Sequence, residues 1–249
     1  MLILALDAST PVVAVGLARA DADGGREVLA EVSVQGSRQG SRGASESLLP
    51  AVHDVLRFSG CGLEEVERVL VGVGPGTFTG IRIAAAVARG LAFGQPGARL
   101  TKNSTLAALA APALYGSTGG FGTEVLAVID ARRGQVFARR FRGPGSLASP
   151  VGEGGISCSV PGELAAGGEP GRETLVVGDG AVRYRAELSR LGHIPPDASP
   201  LHRVTATGHV LSADLAPMPA GKLVPIYVRE PDAEVRRDLN PWSGARGSS

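Results

Sequence analysis

Two stretches of this chain say nearly the same thing. "LILALDASTPVVAVGLARAD" opens the sequence, and "VLAVIDARRGQVFARRF" returns at its middle. Each has an apolar strand, an Asp at its end, a tight turn and a returning strand. Laid over one another, Asp130 falls on Asp7, Ala131 on Ala8 and Val136 on Val13. The bland account is that any two hairpins look alike. The shared Asp at the strand end instead favours an internal duplication, which constrains the fold more than any single motif. Two strand-rich halves with helices between strands predict an α/β protein of two lobes.

The remaining elements follow from periodicity. Glu27–Val34 reads as a third strand, and the Ser/Gly/Arg stretch Gln35–Ala44 as a mobile loop. "SLLPAVHDVLRFSG" is helical, with Leu48, Leu49, Val52, Val55 and Leu56 on one apolar stripe and Gly60 as the stop. Taking Ser47 as N-cap puts Pro50 in the first turn. Val69–Val73 is a strand, Thr79–Phe93 a helix, and "NSTLAALAAPALY" a helix cut at Pro112. Arg142–Arg172 is rich in Gly, Pro and Ser and is expected to hold only short ordered pieces. "TLVVGDG" gives a strand and turn, "AVRYRAELSRLG" and "TATGHVLSADLA" helices, and "VPIYVRE" an extended piece. A polar, disordered tail is expected from about Asn240.

Composition excludes more than it selects. Net charge is +1, with no field for nucleic acid or membrane. Cys61 and Cys158 form neither a disulfide framework nor a metal pattern, which fits a reducing cytosol. The opening run reads as a strand, not a signal peptide, and no apolar run is long enough to cross a bilayer, so the chain is expected to be soluble and cytoplasmic. His53, His193, His202 and His209 have no partner at i+4, so no helical metal pair exists and no metal is expected. G-x-S-x-G is absent. The arginines Arg132, Arg133, Arg139, Arg140 and Arg142 cluster, but scarce aromatics and near-neutral charge argue against an autonomous RNA binder.

Three candidates carry the functional reading. Asp7, with Thr10 three residues on, could hold a metal and a phosphate at a strand end. The turn lacks the glycine such hairpins use, and Pro11 has no N–H to give. Asp7 and Asp130 therefore read first as turn caps, with weak nucleotide contact at Asp7 and Thr10 left open. "GVGPGTFTGIR", Gly72–Arg82, is neither a P-loop nor G-x-G-x-x-G. The helix behind it is more telling: it is apolar almost all round, with its only charges, Arg82 and Arg89, on one stripe. That stripe is read as also carrying Ala85 and Ala86, a face that invites a partner helix.

With those residues in hand, the sequence resembles the TsaB (YeaZ) family. "ILALDAST", "SLLPAVHDVL", "VGVGPGTFTGIRIAAAVARGLA", "NSTLAALA", "VIDARRGQVFARRF", "VVGDGA" and "VPIYVRE" fall in that family's order, from Met1 to about Arg229. The G-P-G-(S/T)-F-T-G-(L/I/V)-R segment is the most specific. The resemblance implies a two-lobed actin-like/Hsp70-like nucleotidase fold (ASKHA, ribonuclease H-like) with duplicated lobes: 1–103 plus 204–222 as one lobe, 104–203 as the other, and 223–249 as an extended tail. It implies a non-catalytic partner in making threonylcarbamoyladenosine beside the tRNA anticodon, with no cofactor of its own. A TsaD-like paralogue carries the metal-binding histidines and the transfer chemistry, and a TsaE-like ATPase joins the complex. tRNA is then met only through the complex, and a homodimer in the partner's absence is left open. Family members pair through two helices, here Ser47–Ser59 and Thr79–Phe93. The implied interface is Leu48 and Val52 of the first, Gly74, Pro75, Gly76, Thr77, Phe78 and Thr79 around the turn, and Arg82, Ala85, Ala86 and Arg89 of the second. One departure is Ala44, where members often carry a His. The rival reading is an ATP-dependent small-molecule kinase of the same superfamily.

Overall fold

A computed structural model describes residues 1–35, 43–115, 124–143, 151–167 and 174–228. The loop expected within Gln35–Ala44 and the tail beyond residue 228 lie almost wholly outside the described residues. Three antiparallel strands open the chain: β1 (Leu2–Asp7), β2 (Val12–Ala20) and β3 (Arg26–Gln35). There follow α1 (Ala44–Ser59), β4 (Arg68–Gly72), α2 (Phe78–Gly94), β5 (Arg99–Asn103) and α3 (Thr105–Tyr115). β4 runs parallel to β1 and β5 parallel to β4, giving one sheet of order β3-β2-β1-β4-β5.

The second half repeats the plan. β6 (Glu124–Arg132), β7 (Gln135–Arg142) and β8 (Val151–Ser159) are antiparallel, and β9 (Thr174–Val177) adds parallel to β6. The order β8-β7-β6-β9 matches β3-β2-β1-β4. Around it stand α4 (Pro161–Gly167), α5 (Asp179–Arg183) and α6 (Arg185–Leu188), while α7 (Ala206–Ser212) returns to the first sheet. The two hairpins differ by one residue. Asp7 pairs with Ala14, whereas Asp130 pairs with Val136 across a bulge. Val136 therefore does not sit where Val13 does. The shorter second turn places Arg132, Arg133 and Gly134 at left-handed φ of 64°, 52° and 74°.

β1 is buried on both faces. Leu2, Leu4 and Leu6 pack with Val69 and Val71 under α1 and α2, while Ile3 and Ala5 meet Ala206 and Val210 of α7. Leu106 and Leu109 of α3 fill the core of the second sheet with Val125, Ile129 and Phe137.

Three local expectations change. α1 begins earlier than Ser47: Gly43 is its N-cap, and the Glu46 and Ser47 amides bond to the Gly43 carbonyl. Glu46 in the first turn suits the helix dipole, and Pro50 lies inside the helix. α3 is not cut at Pro112 but runs through it to Tyr115. A proline there cannot bond the Ala108 carbonyl. That carbonyl instead lies against Gly208 of α7, where an added Cβ would stand 2.1 Å from it. The segment after β9 is not one helix; it breaks at Tyr184 between α5 and α6.

Candidate functional site: an exposed helix face over a glycine turn

The glycine turn is a place of close approach. The Thr77 amide bonds the Ser9 carbonyl at 2.7 Å, joining the turn to the β1–β2 hairpin. A Cβ on Gly80 would stand 1.8 Å from the Ala8 carbonyl oxygen, and one on Gly76 would stand 2.2 Å from that of Ser9. Only hydrogen fits at either place, so α2 starts pressed onto the first hairpin.

From there α2 presents two sides. Ile81, Ala84, Ala85 and Ala88 are buried in the lobe's own core. Phe78, Thr79, Arg82, Ala86, Arg89, Gly90 and Phe93 are exposed. Phe93 stands 92% exposed at the far end, an unusual state for so large an apolar ring. Beside α2, α1 shows Leu49 at 53% and Phe58 at 65% exposure. The described residues thus leave a face of α2 uncovered.

Several expected contacts sit elsewhere. Leu48, Val52 and Ala85 are buried in this lobe and do not reach the surface. Their helical phase faces the sheet, so Leu49, Phe58 and Ala86 take the outer positions. Gly74 and Pro75 are buried too, with Gly76 and Thr77 half-buried.

Residues 215–228 strap this side of the lobe. The Met218 amide bonds Leu100, and the Ile226 amide bonds Val73. Arg89 Nη2 donates to the Leu223 carbonyl at 2.8 Å, and Arg82 Nε donates to the Tyr227 hydroxyl at 3.2 Å. The Arg82 guanidinium lies 3.6 Å over the Phe78 ring, which in turn meets Tyr227.

Asp7 is turned inward. It is 1% exposed. Its Oδ1 accepts from the Ser9 amide at 2.6 Å, and its Oδ2 accepts from Thr105 Oγ1 and His209 Nε2, each at 2.8 Å. Asn103 lies 3.4 Å from His209 Nδ1 and donates to Ser212 Oγ. Burial pushes the Asp7 carboxyl up, but the bonds from His209 and Ser9 outweigh it and hold it below the ordinary carboxylate value. The turn-capping bond expected of Asp7 is present, with a buried network added to it.

Thr10, in contrast, lines a cleft of about 790 Å³ between the lobes, opposite Asp130, Arg132, Asp179 and Arg183. Asp130 caps its own turn through the Arg132 amide and takes Arg183 at 3.3 Å. Asp179 accepts the Asp130 amide at 3.0 Å. Burial, with the Asp130 charge beside it, pushes Asp179 up to about 6 despite these N–H bonds. Among the described residues no three His, Cys, Asp or Glu side chains gather to hold a metal ion.

Residues 27–167, more than half of the chain, match the family model described as "TsaD: tRNA N6-adenosine threonylcarbamoyltransferase". The solved structure of YeaZ from Pseudomonas aeruginosa superposes with a TM-score of 0.66 at 26% identity, covering 91% of this chain and 99% of that one. The Escherichia coli tRNA threonylcarbamoyladenosine biosynthesis protein TsaB is 41% identical over 93 residues.

The chain belongs to the TsaB/YeaZ family.

The E. coli match covers 37% of this chain and 38% of that protein. An uncharacterized protein of Mycobacterium tuberculosis is 29% identical over 236 residues, 93% of each chain. The TsaB/YeaZ structures give the two sheets their place in a two-lobed ASKHA-like fold. Sequence reasoning missed His209 and Thr105 as partners of Asp7, missed Asn103 behind His209, and missed Asp179 altogether. A lone His in the apolar segment "TGHVLS" was the available signal for the first. Phe58 and Phe93 were missed as exposed rings too, because the sequence marks both segments as apolar without saying which side the lobe covers.

Proposed function

We propose that this chain is a non-catalytic subunit of the machinery that makes threonylcarbamoyladenosine in tRNA. It docks a TsaD-like paralogue through the outer faces of α1 and α2 and so activates it. A TsaE-like ATPase joins the assembly, and tRNA is met only there. The observation that carries this reading is the uncovered side of α2, from Phe78 through Ala86 to Phe93. Large apolar side chains in contact with water along one helix face are what a partner covers. The names of the TsaB relatives supply the pathway. The histidines are consistent with a non-catalytic role: His202 and His209 are committed to buried bonds with Gly178 and Asp7. The lobe of 1–103 with 204–222 is then the docking lobe.

The kinase reading asks Asp7 to face a nucleotide. Both its oxygens are occupied within the fold, which leaves Thr10 as the contact open to the cleft. Any nucleotide binding is accordingly expected to be weak.

Ala86→Glu tests the docking face. It puts a charge at the centre of an exposed stripe, so the fold should survive while co-purification with the TsaD-like paralogue is lost. The isolated chain should show no threonylcarbamoyl transfer. Unchanged partner binding by a folded Ala86→Glu variant would refute the interface.

A further inference from the structure

The cleft between the lobes holds two charges that the fold leaves unmatched. Its charged lining is Asp130, Arg132, Asp179, Arg183, Asp197 and Arg203. Most of these are paired: Asp130 takes Arg132 and Arg183, and Asp197 takes Arg185. Among the described residues, Asp179 and Arg203 form no ion pair. Asp179 is half-buried and accepts backbone N–H groups alone, those of Asp130 and Gly180. The Arg203 guanidinium is exposed. The two belong to one wall. The Gly178 amide donates to His202 Nδ1 at 3.1 Å, so His202 Nε2 carries the proton and donates to the Pro195 carbonyl at 3.1 Å. These bonds tie the residue before Asp179 to the residue before Arg203. The apolar part of the lining is Leu109, Ile129 and Val204, side chains of the second lobe's core. Thr10 and Pro11 of the first hairpin complete it.

We infer that this cleft binds a zwitterionic α-amino acid with an aliphatic side chain, its ammonium on Asp179, its carboxylate on Arg203 and its side chain against Leu109, Ile129 and Val204. The site lies apart from the docking face and does not depend on it. A partly buried carboxylate with no cation beside it carries a desolvation cost that an arriving counter-charge relieves. Asp179 records that cost: burial and the neighbouring Asp130 charge push it up to about 6, and Arg132 offsets this only in part. A ligand ammonium supplies the missing cation, and a ligand carboxylate answers Arg203. The cleft volume of about 790 Å³ lies in the range of small-molecule sites and is ample for an amino acid. A polyphosphate fits the same lining poorly, because it would meet the carboxylates of Asp130, Asp179 and Asp197 together.

The test is calorimetric titration of the full chain with L-leucine, leucinamide, isocaproate and Mg-ATP. Leucine should bind. Leucinamide lacks the carboxylate and isocaproate the ammonium, so each should bind about tenfold or more weakly. The ammonium needs an ionised Asp179. Leucine affinity should therefore fall as pH drops through about 6, and titrations near that pH in buffers of different ionisation enthalpy should show a proton released on binding. Asp130, Asp197 and His202 also face the cleft, so two variants assign the effect. Asp179→Asn keeps an oxygen for the Asp130 N–H and should fold. It should lose about tenfold or more in leucine affinity, together with the proton release. Arg203→Gln alters an exposed side chain; it should lose a similar factor and keep the proton release. The inference is overturned if leucine does not bind, if either single-charge analogue binds as well as leucine, or if the pH dependence survives Asp179→Asn. Tighter binding of Mg-ATP than of leucine would overturn it too, and would make the cleft a nucleotide site.

Discussion

Asp7→Asn separates the two roles open to this residue. Asp7 accepts at both oxygens: Ser9 N–H on one side, Thr105 O–H and His209 Nε2 on the other. An asparagine has one oxygen. Turned one way its NH₂ faces the Ser9 N–H; turned the other way it fits only if Thr105 and His209 both switch from donating to accepting, in a site closed to water. Breaking a buried, hydrogen-bonded pair from one side costs about 3–5 kcal/mol. Against a total stability on the order of 5–15 kcal/mol, that is a large fraction. At roughly 2–4 °C per kcal/mol for a chain of this size, the melting temperature should fall by about 6–20 °C. Thermal and urea unfolding followed by circular dichroism give the number. The pH dependence supplies an internal control. The native Asp7 value lies below the unfolded value of 3.8. Its stabilisation is therefore complete above that pH and is lost as pH falls through the lowered native value. The gap between wild type and Asp7→Asn should be full at neutral pH and should close on acidification below 3.8. A shift under about 2 °C at neutral pH would refute the buried-network account. Loss of nucleotide binding at unchanged stability would place Asp7 at a ligand instead.

Other substitutions probe other parts of the molecule. Gly80→Ala puts a methyl group 1.8 Å from the Ala8 carbonyl oxygen, so α2 must lift from the first hairpin. A loss of about 3 kcal/mol or more in urea unfolding is expected, and a neutral result would show the close approach to be unimportant. Asp179→Asn should raise stability at neutral pH. Because the native value of about 6 lies above the unfolded 3.8, the folded chain holds the extra proton, and wild-type stability declines as pH rises between those values. The substitution should remove that decline, worth roughly 2–3 kcal/mol at most, and an unaltered pH–stability profile would refute it.

Much of the architecture was legible in the sequence because it rests on local pattern. The repeated hairpins announce the two sheets, and they do so through strand alternation and a strand-end Asp. The Gly60 stop of α1 and the Gly-rich start of α2 are backbone chemistry, read directly from residue type. Helix phase was harder to read. Leu48 and Leu49 are equally apolar, and only packing against the sheet turns one inward and leaves the other in water. Ala85 and Ala86 differ in the same way. Pro112 misled because its cost depends on what lies beside the orphaned Ala108 carbonyl, and Gly208 is far away in sequence.

The sequence alone determined that this chain makes two related α/β halves, and that the segment after the glycine turn has too few polar residues to make an ordinary surface helix. Periodicity and residue type are local properties, so they survive without the fold. Tertiary structure alone decided which side of α2 stays uncovered, that the strap holds Arg82 and Arg89 outward, and that Asp7 turns in to meet His209. Those outcomes join residues far apart along the chain, and no spacing rule brings them together.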